Sequence, residues 1–300
     1  MNSLKSLIEK LHFLLLSEKA KKRIERVTLI LSIASFIIHL ACIYLTNVLP
    51  FLNPNNPLLG SPIAAVYTPF SFILIYEVYL LVFYLPRSIT TYISKQYEII
   101  SLIIIRRLFK DLGNLKLTTD WFSIKGDLQF TYDIIASVIL FYLLYWFYRL
   151  NSHHKKTIKK PSDVSEGLDR FVRLKKGIAI VLVPLLLALA LYTFGNWGFI
   201  ALSGTEMIKE PLKNVNNIFF DEFFTVLIIV DVLLLLVSFF YTDKYFKVIR
   251  NSGFVISTIL IRISFSVEGL VNTVLIVFAV VFGLTILAIH NQFEKKIQES

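Results

Sequence analysis

Four ionisable residues stand inside runs otherwise apolar enough to enter a bilayer: Glu77, Arg107, Asp231 and Arg262. A charge in hydrocarbon costs at least about 2.5–3.5 kcal/mol on insertion scales, so such residues are paired, enclosed or used in transport. Their spacing is ordered. Arg107 closes the stretch K-Q-Y-E-I-I-S-L-I-I-I-R-R that Lys95 opens, and Arg262 closes R-N-S-G-F-V-I-S-T-I-L-I-R, opened by Arg250, with the basic ends at the same spacing of 12 each time. Upstream of each copy lies an apolar segment with one acid, Glu77 at 18 residues before Lys95 and Asp231 at 19 before Arg250. With a rise of about 1.5 Å per residue, Arg107 lies about 18 Å above Lys95 and Glu77 about 15 Å above Arg87, while Arg262 and Asp231 both lie near 18 Å. These heights predict two intramembrane ion pairs, Glu77–Arg107 and Asp231–Arg262, with Lys95 and Arg250 as interfacial basic residues. The pairs either fix helix packing alone or take part in a mechanism.

Other reactive residue types carry less. His39 falls mid-span and has the chemistry of a proton relay, although a histidine hydrogen-bonded between helices explains it as well. Glu98, one turn beyond Lys95, is expected to pair with a base at headgroup level. His153 and His154 have no third ligand nearby, so a solvated loop is the reading and no metal site is expected. Cys42 is the one cysteine, which excludes an intrachain disulfide and a cysteine metal site. No nucleophile elbow, metalloprotease helix, phosphate-binding glycine loop or paired-cysteine motif occurs. Neither an enzyme nor a cofactor is expected.

The elements that position these residues follow from composition. Hydrophobic residues make up 56% of the chain and charged residues 17%, which is too little charge to cover a soluble domain of 300 residues. The class is an all-α polytopic membrane protein. The net charge of +10 is concentrated in the stretches between apolar runs, so it reads as membrane topology and not as nucleic-acid binding. Apolar periodicity predicts eight spans, near 27–49, 63–85, 88–108, 132–148, 177–199, 219–241, 247–265 and 270–290, with Pro184 as a kink. The third and seventh carry charge, and topology decides for them. With all eight crossing, 23 of the 31 Lys and Arg residues fall on one side and 5 on the other, which places both termini in the cytoplasm. Trp121 and Trp197 then lie near the outer interface and Trp146 near the inner. Residues 1–26 read as an amphipathic basic segment on the inner leaflet, where no cleavable signal is expected. Residues 27–150 form a first four-helix unit, 151–176 a basic cytoplasmic linker, 177–290 a second four-helix unit and 291–300 a tail. Each half has an even number of spans, so the repeat is parallel and not inverted.

The plan of helix, acid-bearing helix, helix bounded by basic residues, and helix resembles the phosphate-starvation-inducible E (PsiE-like) family of small bacterial inner-membrane proteins, here in two tandem copies. The matching residues are Glu77, Lys95 and Arg107, then Asp231, Arg250 and Arg262. Lys95 stands where the family pattern has Arg. The resemblance implies a multi-pass protein of the bacterial inner membrane with a sensor, regulatory or assembly role linked to stress or phosphate starvation. Expected partners are the bilayer, anionic lipids at the cytoplasmic face, and a second copy or another membrane protein. The alternative is an ion or proton channel or transporter that uses the Glu/Asp–Arg pairs. A water-lined path to Glu77 or Asp231 favours transport, and a dry core favours the regulatory reading.

Overall fold

A computed structural model describes residues 2–45, 62, 64–112, 125–157, 166–202, 211–241, 245–267 and 269–299. Among the described residues the chain is all-helical. Its helices are α1 (Asn2–Leu16), α2 (Glu18–Leu45), α3 (Ala64–Tyr84), α4 (Ile89–Leu112), α5 (Lys125–Thr157), α6 (Glu166–Leu202), α7 (Pro211–Phe239), α8 (Tyr245–Ser264) and α9 (Leu270–Glu299). Among the described residues, five stretches are helical, long and apolar enough to cross a membrane: Ile8–Leu45, Asp127–Ser152, Asp169–Tyr192, Glu222–Phe239 and Leu270–Ile297. Large apolar side chains on them face outward, including Ile30, Ile38, Val138, Phe141, Leu191 and Phe278. Water does not tolerate a continuous surface of this kind, and lipid does. Thr68–Tyr84 in α3 is shorter and apolar. α4 and α8 carry more charge, and they place polar residues inward: Ser94, Gln96 and Ser101 on α4, and Asn251, Ser257 and Ser264 on α8.

Local chemistry sets the boundaries. Ser17 separates α1 from α2 and caps the second, its Oγ accepting from the amide of Ala20 at 3.1 Å. Ser88 does the same for α4 through the amide of Thr91 at 3.3 Å. Gly269 sits at φ +76° just before α9, a left-handed turn position that a side chain disfavours. Several helices run further than apolar periodicity predicts. α2 continues back through the basic cluster that was assigned to the surface segment 1–26. α5 and α6 extend well into 151–176, and α5 begins inside the expected polar loop 109–130. Lys, Arg, Glu and Gln are good helix formers, so loss of hydrophobicity ends a membrane span without ending the helix. The turn at 50–61, the loop bearing Trp121, residues 158–165 and 203–210, and the side chains of His153, His154, Asn196 and Trp197 lie outside the described residues.

Contacts divide the chain into two compact units, each drawing on both sequence halves. Unit 1 comprises residues 1–83, 109–114 and 177–225. Within it the N-terminal segment docks on α3: Tyr79 donates to the Leu15 carbonyl at 2.9 Å, Tyr76 to Glu25 at 3.2 Å, and the Lys21 ammonium lies 5.3 Å from the centre of the Phe83 ring. Unit 2 comprises residues 84–108, 115–176 and 226–300. Its core is built from α4, α5, α8 and α9, with α9 packed along both α5 and α8. Tyr97, Phe147 and Phe254 are fully buried there, with ring centres 5.2 and 6.0 Å apart in succession. The helices meet closely because glycines allow it. A Cβ on Gly253 would come within 2.8 Å of Ile286, and one on Gly283 within 1.8 Å of the Tyr97 hydroxyl. That hydroxyl shares a 2.7 Å hydrogen bond with Ser257, whose own proton goes to the Ala279 carbonyl at 2.6 Å.

Candidate functional site

The buried polar groups of unit 2 gather in distinct clusters. The first is built where α4 ends and α5 and α9 begin. Arg107 grips Asp133 in a bidentate fashion, Nε on one oxygen and Nη2 on the other at 2.6 Å. Asp133 is fully buried and also accepts from Gln129 at 2.9 Å and Thr273 at 3.0 Å. The third guanidinium nitrogen of Arg107 donates to Asn272 Oδ1 at 2.7 Å, and Asn272 Nδ2 donates to the Ser264 carbonyl at 2.5 Å. One network therefore ties α4 to α5, α9 and the end of α8. A carboxylate holding four donors is a strong structural lock, with no oxygen left over for general-base work.

The second cluster surrounds Asp231 on α7. Gln96 of α4 donates to its Oδ2 at 3.2 Å, and the buried Tyr92 hydroxyl stands beside it outside good hydrogen-bonding geometry. Lys175, in the first third of α6, lies in the field of this carboxylate and is only 7% exposed. Its ammonium donates to the Arg87 carbonyl at 2.7 Å, capping the chain just beyond α3. Asp231 is thus enclosed and held mainly by neutral groups.

The remaining basic residues are also committed. Lys95 donates to both oxygens of Glu98 at 2.8 and 2.7 Å, between the rings of Tyr84 and Tyr148, and Tyr148 donates to the same carboxylate. Arg250 donates to His290 Nε2 on α9 at 3.3 Å and to Asn251 Oδ1 at 3.2 and 3.0 Å. Among the described residues no group of three His, Cys, Asp or Glu side chains is arranged to hold a metal ion.

These contacts correct both predicted ion pairs. The partner of Arg107 is Asp133, whereas Glu77 is a buried residue of α3 in unit 1, 3% exposed. Height along a helix fixes only one coordinate of a side chain. Which face it occupies decides the rest, and α4 runs back along α5. The contacts of Asp231 are with Gln96, Tyr92 and Lys175, and Arg262 is not among them. Asp231 is level with Gln96, beside Lys95, near the opposite end of the repeated stretch from the position equivalent to Arg262. Arg262 instead sits in the last turn of α8, where a cation complements the helix dipole. His39 reaches across from α2 to the Thr68 hydroxyl on α3, as an interhelical histidine.

No family model, curated protein or solved structure matches this chain. Its functional reading rests on the residues themselves. Asp133 and Lys175 were passed over in the sequence because each lies at the polar end of a predicted span, and Gln96 because it is a neutral side chain next to the charged Lys95. One signal does point to the first: Gln129 and Asp133 are spaced four apart on one helix face, as are polar residues on a helix that pack together.

Proposed function

We propose that this chain is a non-catalytic membrane subunit, a sensor or assembly component of the PsiE-like kind, whose buried charges lock helices together. The observation that carries this reading is the enclosure of its acids. Asp133, Glu77 and Asp231 are 0, 3 and 6% exposed, and both oxygens of Asp133 are engaged by donors. A conducting path needs such groups in contact with water, and these lie in packed helix interfaces.

The same reading holds eight spans with both termini on the cytoplasmic side of a bacterial inner membrane. α3 crosses as the shorter apolar helix. α4 and α8 cross as interior helices, which their inward-turned serines, Gln96 and Asn251 support. What supports a tandem repeat is that Lys95 and Arg250, at matching positions in the sequence, each reach the far part of the following helix, at Tyr148 and at His290. A second copy or another membrane protein is the proposed partner, with anionic lipid at the cytoplasmic face.

Purified protein reconstituted into liposomes tests this. Proton and potassium flux should equal that of empty vesicles. Flux that Asp231→Asn abolishes would establish a transporter instead. A phosphatase fused after Asp120 should be active and one fused after Lys160 silent, and the reverse pattern would sink the eight-span topology.

A further inference from the structure

An open cavity of about 640 Å³ runs along the outside of unit 2 between α8 and α9, next to the end of α7. Tyr245, Ile249, Ser252 and Ile256 form one wall, and Phe282 and Ile286 the other. The walls are apolar and open, Ile249 being 52% and Ile256 47% exposed, and Ser252 contributes the one hydroxyl near the middle. The floor exists because Gly253 lets Ile286 close against α8. The volume falls within the range of about 300–1,000 Å³ usual for small-molecule sites.

Length argues for the occupant. From Tyr245 to Ile256 is about 16 Å of helix, roughly half of a hydrocarbon core about 30 Å thick. That is the reach of one acyl chain in one leaflet, and too short for a helix that spans both. Charge then selects the headgroup. α8 and α9 are antiparallel, with Gly253 opposite Ile286 and Arg250 opposite His290. The end of the groove at Tyr245 is therefore the end where α9 carries Lys296, two heptads on from Phe282 and so on the groove's side of that helix. The acid described there, Glu294, lies in the field of the deeper Arg250.

We propose that the α8–α9 groove is a binding site for an anionic phospholipid, one acyl chain lying along Ile249, Ile256 and Ile286 and the phosphate meeting Lys296 at the end beside Tyr245. The site rests on membrane embedding and is independent of the regulatory reading. The test uses the purified intact chain in detergent, titrated with palmitoyl-oleoyl phosphatidylglycerol or with phosphatidylcholine of the same chains, and followed by native mass spectrometry. The first adduct should favour phosphatidylglycerol. Ile256→Trp, at an exposed position that leaves the core untouched, should fill the groove and remove that adduct. Lys296→Gln should lower the preference by about fivefold, the phosphatidylcholine adduct staying as it was. Equal binding of the two lipids, or an undiminished phosphatidylglycerol adduct in Ile256→Trp, would overturn the proposal. Release of the chain from vesicles by alkaline carbonate would instead overturn membrane embedding itself.

Discussion

Asp133 and Asp231 are two buried carboxylates in one compact unit, and their surroundings differ in kind. Asp133 faces a guanidinium held in a fork and two further donors, so its charge is matched and both of its oxygens are engaged. Asp231 has one amide donor at 3.2 Å, a tyrosine hydroxyl beside it without a well-formed hydrogen bond and an ammonium already bonded to a backbone carbonyl. Burial alone does not define a lock. What makes Asp133 one is that removing Arg107 strands a fully buried carboxylate inside a low-dielectric interface. Asp231 can lose its charge and keep its one amide contact.

The largest effect should therefore come from the first cluster. Arg107→Gln leaves Asp133 without its cation and should destabilise the protein on the order of 3–5 kcal/mol, read as thermal unfolding in mild detergent. A loss below about 1 kcal/mol would mean that the pair is solvated, and the contrast with Asp231 would collapse. Next comes the helix crossing that holds this unit together. Gly283→Ala drives a methyl into the fully buried Tyr97 and should cost about 1–3 kcal/mol. Tyr97→Phe in the same chain removes the nearest clashing atom and should restore part of that loss. The smallest effect belongs to Asp231→Asn. The amide keeps an acceptor for Gln96 and Lys175 keeps the Arg87 carbonyl, so the change should be within about 1 kcal/mol of wild type. A loss as large as that of Arg107→Gln would make Asp231 and Lys175 a second lock.

Much of the fold was legible because hydrophobic runs of span length admit few other readings. The all-helical class, the apolar helices and the order of acid-bearing and basic-ended segments all follow from hydropathy and spacing. Partner choice was not legible in the same way. Glu77 and Arg107 share a height, but α4 meets α5 near Arg107, and Asp133 was hidden at the start of a span where a charge looks like a loop end. Lys175 illustrates the reverse. It reads as one more base in the charged stretch 151–176, yet α6 begins nine residues before it and carries it into a buried position. Sequence also places the repeat boundary in the middle of the chain. Contacts instead gather the last two helices of each half, α4 with α5 and α8 with α9, into one unit.

The account stands most directly on the coupling between Arg107 and Asp133. A double-mutant cycle of Arg107→Gln, Asp133→Asn and the two together, scored by thermal stability in detergent, measures it. The double variant should be more stable than either single variant, with a coupling on the order of 1–3 kcal/mol, because removing both charges leaves no orphan. A double variant no more stable than the worse of the two single variants would contradict the lock.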